Sequence, residues 1–269
     1  MAYREVRAPT MSAHVRVEIT RPIATVRLDQ PERHNVLDLG GWRALAAAFA
    51  DLDRRDDVTA VVLSGTGGRA FSAGSDIAAF SEQRDAPGDV RAYSEAIAAA
   101  MHAVRGCRHP TVAIIEGICV GGGLELAACC DLRVCGESSR FGAPINRLGL
   151  TMSHDELEPL VELLGPSPVL DLLLSGELID AERARSYGLV NRVLPDAAVV
   201  EQGYGLAARI AAGAPLVNRW HKKFIRRLQD RRPLTDEERE EALRAFETED
   251  YREGRAAFLE KRPPRFRGE

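Results

Sequence analysis

The sequence lacks the marks of several protein classes. No apolar run approaches the ~20 residues that span a bilayer, and the opening MAYREVRAPTMSAH has no apolar signal core. The expectation is a cytoplasmic chain with no membrane partner. The five cysteines, Cys107, Cys119, Cys129, Cys130 and Cys135, form no Cys-X-X-Cys pair and fit no zinc spacing. They crowd into the most apolar third of the chain and read as buried reduced thiols, with no metal expected. Lys and Arg total 36 against 40 Asp and Glu, so no basic excess suggests nucleic acid. The acidic excess is too small to suggest disorder.

What is present suits one large domain or two small ones: 269 residues, 45% of them hydrophobic. Residues 1–13 read as a flexible tail. HVRVEIT (14–20) and IATVRLD (23–29) alternate around Arg-Pro and predict a hairpin. Asp38 is placed to cap a helix with Trp42, Leu45, Phe49 and Leu52 on one face. TAVVLSG (59–65) reads as a buried strand, followed by a glycine-rich loop. Residues 81–89 are polar and predict a mobile segment; Tyr93, Ile97, Met101 and Val104 then mark another helix. TVAIIEG (111–117), DLRVC (131–135) and LVNRVLP (189–195) predict further strands. Strands come first and helices last, which suggests an α/β core over 14–200 and a helical region over 201–269.

The stretch VGGGLELAACCDLRV sets three glycines, Gly121 to Gly123, before an alanine-rich helix and puts a carboxylate, Glu125, in its first turn. The cluster has neither the Gly-Lys-Ser/Thr ending of a phosphate loop nor a dinucleotide fingerprint. A tight turn is one reading. The other uses the free N–H groups at a helix start, whose partial positive charge stabilises an anion. Glycine lets a ligand approach them closely. Two such donors aimed at an oxygen that becomes negative during reaction form an oxyanion hole. AFSAGSDI, with Ala73, Gly74, Ser75, Asp76 and Ile77, is the candidate second loop, Asp76 capping the short helix after it.

QPERHNVLD, FSAGSDI, GICVGGGLELAACCDLRV and the closing EDYREGRAAFLEKRPPRF, in that order, resemble the enoyl-CoA hydratase/isomerase, or crotonase, family. The resemblance implies a crotonase-like spiral of strand–strand–helix turns with a helical C-terminal region that makes trimers or paired trimers (hexamers). It implies acyl-CoA thioester substrates, no cofactor beyond the coenzyme A they carry, and oxyanion donors at the backbone N–H of Ser75 and Gly122. Glu125 would be the general acid/base. Ala73, Gly74, Asp76, Ile77, Gly121 and Ile145 would contact the substrate or its coenzyme A; Arg33 and His34 would serve the nucleotide end, Lys261 would reach its phosphates from a neighbouring subunit, and Phe258 would lie near the acyl or adenine entrance.

The chain departs from the family where a second glutamate belongs. The family's FGxPE segment reads FGAPIN here, with Ile145 at the acid's position. Downstream, LGLTMSHDEL crowds His154, Asp155 and Glu156 at a helix start; a group from Ser153–Glu156 could replace the lost partner, and His154 and Asp155 stand as the substitute acid/base candidates. Hydration, the syn addition of water to a 2-enoyl-CoA, is the first expectation. A one-carboxylate isomerase or a decarboxylase is the alternative. A reading of another class is a non-catalytic acyl-CoA- or RNA-binding homologue, for which the basic HKKFIRRLQDRR (221–232) would be the contact surface.

Overall fold

The hairpin forms as predicted. In the computed structural model, which describes residues 14–84 and 86–269, β1 (Val15–Thr20) and β2 (Ile23–Leu28) pair antiparallel, Val15 opposite Leu28. The expected tail, 1–13, lies outside the described residues. β2 then pairs parallel with β3 (Ala60–Gly65), which leads through β5 (Thr111–Ile115) and β7 (Leu132–Gly136) to β10 (Arg192–Leu194). A second sheet holds β4 (Ala70–Ser72), β6 (Ile118–Val120), β8 (Arg140–Gly142) and β9 (Ile179–Asp180) in that order. The chain lays β3, β5 and β7 on the first sheet and follows each with β4, β6 or β8 on the second. This is the strand–strand–helix spiral that the sequence suggested.

The helices explain why β3 and β5 are buried along their whole length. On one face Val61, Leu63, Ala113 and Ile115 join the main core with α1 (Leu39–Asp53), capped by Asp38. On the other, Val62, Val112 and Ile114 pack against Val199, Leu206 and Ala207 of a late helix, α8 below. A parallel strand covered on both faces needs no polar side.

The polar segment 81–89 carries regular structure. Its described part is largely helical, in α2 (Phe80–Gln83) and the start of α3 (Pro87–Gly106). Pro87 has the fixed φ of a first helical residue and Asp89 complements the helix dipole, so polarity there marks a helix start. α4 (Gly122–Cys129) starts within the triple glycine; α5 (His154–Leu164) packs beside it and α6 (Pro166–Ser175) packs on α5. The rest is α7 (Ala181–Ser186), α8 (Val199–Ala211), α9 (Pro215–Gln229), α10 (Asp236–Glu241) and α11 (Glu249–Glu260). Most of the basic stretch lies on α9, where Lys222 and Arg226 bind Asp131, Lys223 binds Glu241 and Arg227 binds Glu238. All five cysteines are buried and free. Among the described residues no helix is long and apolar enough to cross a membrane.

Candidate active site

The loop after β4 is clamped by its own backbone. Ala73 N–H donates to His34 O, Leu37 N–H to Gly74 O, and Asp76 N–H to Leu37 O, each at 2.8 Å. Gly74 N–H donates to Ser72 Oγ at 2.9 Å, and Ser72 Oγ donates to Asn35 O. Buried Asn35 in turn donates from Nδ2 to Thr66 O and Ala70 O. These bonds consume the N–H groups on either side of Ser75. Asp76 accepts from Ala78 N–H and pairs with Arg33 at 2.5 Å, which fixes the loop's far end.

The triple glycine meets this loop face to face. Gly74 has φ +85°, and a Cβ built on it would stand 2.5 Å from the Gly122 nitrogen. One on Gly122 would press the Trp42 ring at 2.9 Å, and one on Gly123 would come 2.3 Å from Ser72 O. A helix start can approach the loop this closely only without side chains. Gly121 N–H donates to Gly142 O at 3.0 Å. Among the described residues, neither the Ser75 N–H nor the Gly122 N–H has an acceptor.

Both residues line a cavity of about 510 Å³, and Glu125 lies in its wall. Glu125 is 3% exposed and its Oε2 has no partner. Burial pushes its carboxyl well above the usual range; the charge of Glu156 adds to the shift and that of Arg84 opposes it. Arg84 and Glu156 line the same cavity. The Arg84 guanidinium is held 4.5 Å from the Phe80 ring centre and 4.1 Å from that of Tyr93. Ser153 caps α5, and Glu156 Oε2 accepts from Ser153 N–H at 2.6 Å.

Of the residues singled out in the sequence, Ala73, Ser75, Ile77, Gly121, Gly122, Glu125 and Ile145 line this cavity. Gly74 and Asp76 stand behind it as supports. His154 and Asp155 are both exposed outside the cavity, and Asp155 faces His102 at 3.5 Å. With 3.6 residues per turn, the first turn of α5 aims Glu156 inward and these two outward. Arg33 is engaged by Asp76, and His34 is exposed; neither reaches the cavity. Phe258 (83% exposed) and the exposed Lys261 do not line this chain's cavity. Sequence reasoning missed Arg84, hidden in a polar stretch, and did not single out Glu156. The Ser-X-X-Glu capping spacing from Ser153 would have separated Glu156 from its neighbours.

Residues 18–269 match the family model described as Enoyl-CoA hydratase/isomerase. A crystal structure of an enoyl-CoA hydratase/carnithine racemase from Magnetospirillum magneticum superposes with a TM-score of 0.94 at 43% identity, covering 97% of each chain. A Thermus thermophilus protein named "Putative enoyl-CoA hydratase" is 38% identical over 249 residues, 91% of this chain and 97% of that one. The enoyl-CoA hydratase of Bacillus anthracis gives a TM-score of 0.87 at 29% identity, over 95% of this chain and all of that one.

Proposed function

The chain belongs to the enoyl-CoA hydratase/isomerase family and is an enzyme of that family, and on this premise we propose that it hydrates 2-enoyl-CoA thioesters. The observation that carries the reading is the pair of unengaged N–H groups, Ser75 and Gly122, on one cavity with buried Glu125. A thioester oxygen placed between them accepts both. As water adds to Cβ, the electron pair of the double bond moves towards that oxygen, and the amides stabilise the resulting enolate. Glu125, whose buried carboxyl keeps its proton above the usual range, exchanges a proton with the substrate. No cofactor takes part beyond the coenzyme A that the substrate carries.

Arg33, His34 and a neighbouring subunit's copy of Lys261 serve the nucleotide end in this reading. The C-terminal helices assemble trimers or hexamers. Their exposed apolar residues, among them Ile225, Leu228, Phe246, Phe258 and Leu259, support assembly, since water otherwise meets each of them. The working compartment is the cytoplasm. A second reading, a one-carboxylate isomerase that shifts a double bond with Glu125 alone, is favoured by Ile145, which faces the cavity where the family's second acid belongs.

The test is the loss of enoyl-thioester absorbance when crotonyl-CoA is added. Turnover by the wild type, and its loss in Glu125→Gln, supports hydration. Conversion of a 3-enoyl-CoA to its 2-enoyl isomer without hydration supports the second reading.

A further inference from the structure

Hydration moves two protons, one off water and one onto Cα, and Ile145 can carry neither. Resting on the hydratase reading, we propose that Glu156 is the second proton carrier, delivered to the cavity from the first turn of α5.

Three observations carry this. Glu156 lines the same cavity as Glu125 but reaches it from a different helix, so the two carboxyls belong to different walls. Its Oε2 is pinned by the Ser153 N–H at 2.6 Å, which fixes the direction of the carboxyl. Its Oε1 has no hydrogen-bond partner among the described residues. A capping box alone needs one oxygen and is satisfied equally by Gln.

The charges around the pair assign the roles. Arg84, at the end of α2, lines the cavity and has no carboxylate partner among the described residues. Between α3 and the outer face of α5, Arg105 pairs with Glu158 and Glu162, and His102 with Asp155. One guanidinium therefore faces two carboxyls. Burial disfavours the charged form of a carboxyl, so the more buried of the two holds the proton. Glu125 is the more buried. Glu156 is then the base and Glu125 the acid. Water's oxygen bonds Cβ and its proton passes to Glu156. The double-bond pair moves onto the thioester oxygen, and the enolate takes the Glu125 proton at Cα as it collapses. A proton returned from Glu156 to Glu125 through water restores the site.

The experiment is Glu156→Gln, with the rate of crotonyl-CoA hydration, its pH profile and thermal melting all measured. Gln keeps the capping hydrogen bond, so the melting temperature stays at the wild-type value. The expected kcat falls about 10²–10⁴-fold, and the acidic limb of the kcat/KM profile disappears because the base that must ionise is gone. Glu156→Asp, which keeps a carboxyl, retains that limb at reduced rate. An active wild type whose Glu156→Gln variant stays within about threefold, or whose loss of rate follows a loss of melting temperature with both limbs intact, overturns the proposal alone. A wild type that hydrates no 2-enoyl-CoA overturns the hydratase reading and this proposal with it.

Discussion

Gly74 and Gly122 touch: a methyl group on the first would stand 2.5 Å from the nitrogen of the second. The contact brings two chain segments, 48 residues apart by number (122 − 74), to one cavity wall. Replacement by Gly74→Ala must also hold a φ of +85°, which side chains other than hydrogen rarely adopt. The expected result is displacement of the Gly122 amide and a kcat lower by about 10²–10³-fold, the usual loss for one oxyanion donor. Steady-state kinetics on crotonyl-CoA check it; a variant with wild-type kcat would mean that the amide plays no part.

Glu125 makes stability depend on pH. Its carboxyl titrates above its ordinary value of 4.5 in the folded chain because burial disfavours the charge. The folded state therefore binds the proton more tightly than the unfolded one. That stabilisation is complete below 4.5 and is lost as pH rises through the folded value. Glu125→Gln removes the loss, so its melting temperature should exceed that of the wild type by a margin that widens from pH 5 to pH 8. A margin that stays constant or narrows over this range would contradict the burial argument.

Arg84 opposes that burial, since its charge favours the ionised form of Glu125. Arg84→Met should move the alkaline limb of the kcat/KM profile to higher pH. It also removes contacts with two rings, each worth about 0.5–2 kcal/mol, so melting should fall. An alkaline limb that stays in place or moves down would show that Arg84 does not act on the acid.

Ile145 lines the cavity, and the family resemblance of FGAPIN implies an acid at its position. If Glu156 has taken over that task, a carboxyl returned to position 145 should relieve its loss. The double variant Ile145→Glu/Glu156→Gln is expected to hydrate crotonyl-CoA at least about tenfold faster than Glu156→Gln alone, a modest part of what a positioned acid or base contributes. Equal rates would argue that water is not activated from either wall.

The sequence made the frame of the site legible because its pieces obey local rules. Asp38 caps its helix, Gly121 to Gly123 open theirs, and the period-two runs at 14–29 form a hairpin. The three-residue strands Ala70–Ser72, Ile118–Val120 and Arg140–Gly142 are too short to show a period, and only their pairing across the spiral defines them. Direction around a helix start was harder still. His154, Asp155 and Glu156 look alike as a cluster, and only the Ser153 cap decides which of them turns inward. Arg84 carried no local signal at all: its place follows from how Phe80 and Tyr93 pack, which is a tertiary fact.

A crystal structure with a bound acyl-CoA tests the central claim most directly. The account predicts the thioester oxygen about 2.7–3.1 Å from both the Ser75 and the Gly122 nitrogens, with Cα and Cβ between Glu125 and Glu156. A thioester bound with its oxygen turned away from those two nitrogens would contradict it.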